Sequence, residues 1–161
     1  VTKGSFYWHF KDRDALLDAM LQQYKRVSIE AGRLALRGVR EDPVARLRAI
    51  LEAPGKKDAK AVEGVRIELA IRLWARRSDN VRAMLRELDA TRDEVIGNLL
   101  RDAGCVDTRL RPLTLLVQAL LFQLWTREDL NNSDREALVA LTLDVLKSSN
   151  IKHRPTRPVA G

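Results

Sequence analysis

The spacing of apolar residues limits this chain more than any other feature. They recur three and four positions apart almost throughout, and no alternation of apolar and polar residues runs long enough to make a strand. Spacing near 3.6 gathers apolar side chains on one face of a helix, whereas a half-buried strand needs a period of two. An all-α fold of about seven helices is expected. The 161 residues suffice for one domain, or for one domain carrying part of a second, and 45% hydrophobic content is enough for a core. Five prolines, eight glycines and 5% aromatics disfavour a β-sandwich, a collagen-like repeat or wholesale disorder.

Capping residues punctuate the helices. Residues 1–10 read as a short helix that Thr2 can cap, and Asp12 is a good N-cap for a second helix from Arg13 to about Leu36, with Gly38 ending that region. Asp42-Pro43 pairs an N-cap with proline at the first helical position and opens a helix through Leu51. Residues 54–58, PGKKD, form a loop. A helix from about Lys60 to Arg77 is apolar on most sides (Val62, Val65, Ile67, Leu69, Ile71, Leu73, Trp74), a pattern of burial or of a cavity wall. Ser78-Asp79-Asn80 starts a long helix to Ala103, closed by Gly104. Asp107 to Pro112 leads into a buried helix holding Leu113 to Trp125, and Ser133-Asp134-Arg135-Glu136 has the form of a capping box that launches a last helix to about Ser149. Lys152 to Gly161 reads as a disordered basic tail.

The net charge of +7 is uneven. Residues 1–50 carry ten basic and six acidic groups, residues 51–146 carry fifteen and sixteen, and residues 147–161 carry four basic groups and no acid. Positive ends over a neutral middle favour a polyanionic partner. The longest apolar run, Leu113 to Trp125, is interrupted by Thr114, Gln118 and Gln123 and falls short of the roughly 20 residues of a membrane span. No membrane partner is expected.

Catalytic readings find few residues. His9 and His153 lie near opposite ends, and the single cysteine, Cys105, follows a helix-ending glycine with no histidine near it in sequence. No Cys/His cluster has metal-ligand spacing, and the lone cysteine fits a reducing cytoplasm. The Pro54-Gly55-Lys56-Lys57 stretch lacks the spacing of a phosphate-binding loop. Neither an enzyme nor a cofactor or metal protein is expected. The alternation of Arg86 and Arg92 with Glu87, Asp89, Asp93 and Glu94 reads as a solvated, salt-bridged face.

The first ten residues, VTKGSFYWHF, are the most informative. Thr2, Lys3, Ser5, Tyr7, Trp8 and His9 distribute donors and planar tips around a helix whose Phe6 and Phe10 share one face, a pattern suited to a DNA major groove or to an amphipathic surface helix. The run VTKGSFYWHFKDRDALLDAML resembles the recognition helix and following helix of the TetR (tetracycline-repressor) family of transcriptional regulators. The family pattern is a cap, then Lys-Gly-small-aromatic/aliphatic-Tyr-x-x-Phe, a short polar link and a helix beginning Lys/Arg-acid-x-Leu. Thr2, Lys3, Gly4, Ser5, Tyr7, Phe10, Arg13, Asp14, Leu16 and Leu17 fit it.

The resemblance implies a homodimeric regulator, a repressor released from a palindromic operator in double-stranded DNA by a small-molecule effector. Lys3 and Ser5 would face the groove with Thr2 close by, and Gly4 would allow close approach. Tyr7, His9 and Lys11 would contact phosphates, and Trp8 an edge or the backbone. The family's DNA-binding domain has two further helices ahead of this segment, so the sequence is expected to begin inside that domain. Residues 1–37 would then be the end of a helix-turn-helix domain with its connecting helix, residues 38–151 a ligand-binding and dimerisation domain, and residues 152–161 a tail. Dimerisation in the family uses the last two long helices, which here carry Leu116, Leu120, Leu124, Leu138, Leu141 and Val145. Met20, Tyr24, Trp74, Met84, Phe122 and Trp125 are candidate lining for an apolar pocket or ordinary core. Arg66, Glu68, Arg72 and Gln118 either orient a ligand or solvate a face. The competing class is a helical small-molecule carrier or interaction protein that does not bind DNA.

Overall fold

A computed structural model describes residues 10–39, 42–55 and 59–149. Six α-helices are present among them: α1 (Arg13–Leu36), α2 (Pro43–Glu52), α3 (Ala59–Trp74), α4 (Asp79–Asp102), α5 (Asp107–Thr126) and α6 (Asn132–Ser149), with a 3-10 turn at Ala53–Gly55. No strand occurs among the described residues, and the protein is all-α. The expected first helix, residues 1–10, and the expected tail, residues 152–161, lie outside the described residues apart from Phe10.

Helix starts follow the capping chemistry. The Asp12 carboxylate accepts the Ala15 amide at 2.8 Å and the Asp42 carboxylate accepts the Ala45 amide at 3.0 Å, so each holds a donor with no partner inside its helix. Pro43 occupies the first helical position, where its missing N–H costs nothing. Gly38 and Gly104 have φ of +74° and +90° and turn the chain where a side chain would be strained.

Three expectations are corrected. The cap of α6 is Asn131, whose side-chain oxygen accepts the Asp134 amide at 2.9 Å, and Ser133 lies within the helix. Asp107 to Pro112 is not a lead-in: it is already helical, and α5 carries Pro112 at the loss of one backbone hydrogen bond. Nor are the two apolar helices buried all round. On α3, Ile67, Leu69 and Leu73 are exposed while Ile71 is buried, and on α5 Leu115, Leu116, Phe122 and Trp125 are exposed while Leu113, Val117 and Leu124 are buried.

Contacts group the chain into two units, Val1–Val39 with Lys57–Arg92 and Arg40–Lys56 with Asp93–Gly161, dividing within α4. The helix from Arg13 to Leu36 thus groups with α3 and the first part of α4. The first unit's buried cluster is Leu21, Ile71, Ala75, Val81, Met84 and Leu85, with Tyr24 and Trp74 packed against it. The second unit's cluster joins Leu47 and Leu51 to Ile96, Leu99, Leu100, Cys105, Leu113, Val117, Leu124, Val139, Leu143 and Leu146. A fully buried leucine gains about 1.5–3 kcal/mol of transfer free energy, so aliphatic burial dominates the second unit.

One buried cation helps close that second unit. Arg135 is 7% exposed, and its guanidinium donates to the carbonyls of Leu124 at 2.6 Å, Arg127 at 3.1 Å and Leu130 at 3.3 Å. These acceptors belong to the last turn of α5 and the loop after it, where helix carbonyls lack partners of their own.

Candidate functional site

The residues assigned to DNA contact divide sharply. Thr2, Lys3, Gly4, Ser5, Tyr7, Trp8 and His9 lie outside the described residues. Lys11 is described: it is exposed and immediately precedes Asp12, the N-cap of α1. Arg13, in the first turn, is exposed beside it.

The most organised polar arrangement among the described residues lies between α1, α3 and α4 in the first unit. The Tyr24 hydroxyl donates to Glu68. Arg72 donates through Nε to Glu68 at 2.6 Å and grips Asp89 with both terminal nitrogens at 2.8 and 3.1 Å. Arg92 donates to Glu68 at 3.1 and 3.3 Å and to Asp89 at 3.3 Å. Two guanidiniums thus meet two carboxylates, and the Glu68 side chain is 17% exposed. Burial works to lower the Arg72 pKa, but the hydrogen bond to Asp89 and the charges of Glu68 and Asp89 outweigh it and leave it raised. Charge balance leaves this network little capacity for an ionic ligand, and its chemistry is that of a brace between three helices.

Sequence spacing carried part of this brace. Glu68 and Arg72 are four apart, Asp89 and Arg92 three apart, and such pairs meet on a helix surface. The pairing between helices is not legible in spacing, which places Tyr24 with apolar pocket lining or core and Asp89 on a solvated face. Gln118 donates to Asp93 at 3.3 Å and Arg66 is exposed.

The six candidate pocket residues are placed differently from one another. Tyr24, Trp74 and Met84 belong to the first unit's apolar cluster, while Met20 is exposed. Phe122 and Trp125, in the second unit, are exposed on α5. The open depressions among the described residues include one of about 350 Å³ lined by Leu130, Asp134, Ala137, Leu138 and Leu141 and another of about 300 Å³ lined by Arg72, Ala75, Arg76, Arg82, Leu85, Arg86 and Asp89. None of the six residues lines either.

The candidate dimer residues are mostly accessible. Leu116 and Leu141 are 51% and 62% exposed, and Val145 is exposed as well. Leu120 and Leu138 pack partly against the unit's own core. Leu124 is corrected: at 1% exposure it is spent in that core. On α6, Leu138, Leu141 and Val145 fall three and four apart and form one stripe, continued by Ala137 into the first depression.

Cys105 is buried against Leu100 and its neighbours, and burial pushes its thiol pKa up, with Arg109 pulling the other way, so the thiol is kept from ionising. Among the described residues no group of three His, Cys, Asp or Glu side chains is placed to hold a metal ion, and no helix is long and apolar enough to cross a membrane. Compared with known proteins, the chain matches no family model, no curated sequence and no solved structure.

Proposed function

We propose that this protein is a DNA-binding transcriptional regulator of the TetR type, acting in the cytoplasm as a homodimer and released from its operator by a small molecule. The observation that carries the reading is the register of one motif. Lys3-Gly4-Ser5, Tyr7 and Phe10 fall at the required distances ahead of a helix that begins at Arg13 under an Asp12 cap. The all-α fold and the exposed apolar stripes on α5 and α6 support it, since a two-fold four-helix contact would cover them. In such a dimer the two recognition segments stand about 34–36 Å apart, one turn of DNA, and an effector favouring another arrangement of the helices behind them ends that match.

The decisive titration uses the full-length protein on its own promoter duplex and a scrambled one. A promoter preference is expected that weakens steeply with salt. Lys3→Ala or Ser5→Ala should cost roughly 1–3 kcal/mol on the preferred duplex and relax selectivity at particular base pairs. Equal affinity for both duplexes would end the reading. The chain as given should sediment as a dimer, and Leu141→Asp should return it to a folded monomer.

A further inference from the structure

The geometry points to a second DNA-contacting surface, made by Arg76 and Arg77 at the turn between α3 and α4 and by Arg86 on α4, which grips the phosphate backbone beside the start of α1. This inference rests on the DNA-binding reading and adds a surface to it.

Two contacts set the register of α1 against α4. Asn80 donates to Asp18 at 3.2 Å and Lys25 pairs with Glu87 at 2.8 Å. Both steps are seven residues, 18 to 25 and 80 to 87, so the two helices run parallel through this stretch, over roughly 10 Å. The residues just before α4 are therefore level with the first turn of α1, the end that carries Lys11 and Arg13. Those residues are Ala75, Arg76, Arg77 and Ser78. The turn is held in place: Arg82 donates to the carbonyls of Ala75 at 3.2 Å and Arg76 at 3.5 Å while pairing with Asp79.

What is held there is cationic and available. Arg76, Arg77 and Arg86 are exposed and, among the described residues, have no carboxylate within salt-bridge distance, unlike Arg72, Arg82 and Arg92. Arg72, Arg76, Arg82 and Arg86 line one open depression about 300 Å³ in volume together with Ala75, Leu85 and Asp89, whose carboxylate is held by Arg72 and Arg92. Acids do lie at this end: Asp12 is engaged by the Ala15 amide, Asp18 by Asn80, Asp79 by Arg82, and Asp14 is exposed. Their side chains are short, while arginine reaches several ångströms further and its planar fork matches phosphate oxygens. Arg76 and Arg77 are level with the end of α1 that carries Lys11 and Arg13, and Arg86 lies about two turns further along α4. Several separate guanidinium forks fit an extended phosphate backbone better than a single small anion, which one fork would satisfy.

The test is an anisotropy titration of the given chain with a labelled duplex of arbitrary sequence, repeated at several salt concentrations. The triple variant Arg76→Gln, Arg77→Gln, Arg86→Gln is compared with a control of equal charge, Arg33→Gln, Arg37→Gln, Arg66→Gln. Arg33 and Arg37 lie at the far end of α1, about 30 Å along its axis, which is about three screening lengths at 0.1 M salt. The slope of log affinity against log salt should fall by about two or more in the first variant and by less than one in the control. Equal losses in the two, or no duplex binding by the parent chain at 20 mM salt, would overturn the proposal. Lys3→Ala separates it from the reading it rests on. If that change leaves promoter preference intact while the turn variant still loses slope, the recognition segment is misassigned and the turn surface stands. If the turn matches the control while Lys3→Ala relaxes preference, the reverse holds.

Discussion

The two units hold themselves together by different physics. In the second, twelve buried residues form one aliphatic cluster, and its buried cation, Arg135, is spent on backbone carbonyls. In the first, the apolar cluster among the described residues has six buried members, and a brace of Tyr24, Glu68, Arg72, Asp89 and Arg92 ties α1, α3 and α4. Apolar burial is indifferent to salt at ordinary concentrations, whereas partly exposed ion pairs are screened and yield little each. A unit braced by charge is therefore the more easily adjusted of the two, and it is also the one that contains the first helix and the arginine-bearing turn.

The comparison breaks hardest at the second unit's centre. Leu143 is 1% exposed, and Leu143→Ala should lower stability by about 2–5 kcal/mol, read as a shifted urea midpoint whose size is the same at low and high salt. Next comes Arg135→Met, which keeps the volume but strands three carbonyls; about 1–3 kcal/mol should be lost, and hydrogen exchange should quicken first at the end of α5.

In the first unit, Glu68→Gln removes the carboxylate that serves Tyr24, Arg72 and Arg92. With its partners a third exposed, the cost should be only about 1–2 kcal/mol, and it should shrink toward 1 M salt. A cost unchanged by salt would mean that the brace acts by packing and that the contrast between the units is false. Smallest of all is Glu87→Gln. Its hydrogen bond to Lys25 and the charge of that ammonium hold the Glu87 carboxyl below its ordinary value of 4.5. A lowered pKa in the folded state gives stability that is present in full above 4.5 and lost as pH falls through the lowered value. The variant should match the parent at acid pH, below that value, and differ slightly at neutral pH.

Legibility in the sequence tracked the range of the interaction. Asp12 and Asp42 act within their own first turns, so residue type and position sufficed to place the starts of α1 and α2. Gly104 closes α4 because its left-handed φ is a local demand. The α6 cap was misplaced by two residues because Asn131 and Ser133 are both good caps, and only the geometry of the Asp134 amide separates them. Pro112 pointed to a boundary, yet tertiary packing of Leu110 and Leu113 against the core outweighs one missing hydrogen bond.

By itself the sequence determined the helical class, most helix limits and the motif that motivates a DNA-binding reading, since spacing, caps and glycine conformations are properties of a few neighbouring residues. Tertiary structure alone decided which faces of α3 and α5 stay exposed, that Leu124 belongs to the core, and that Tyr24, Glu68, Asp89 and Arg92 meet. Those outcomes depend on partners far away in sequence, 44 positions for Tyr24 and Glu68, and helical periodicity states which residues share a face without stating what that face will meet.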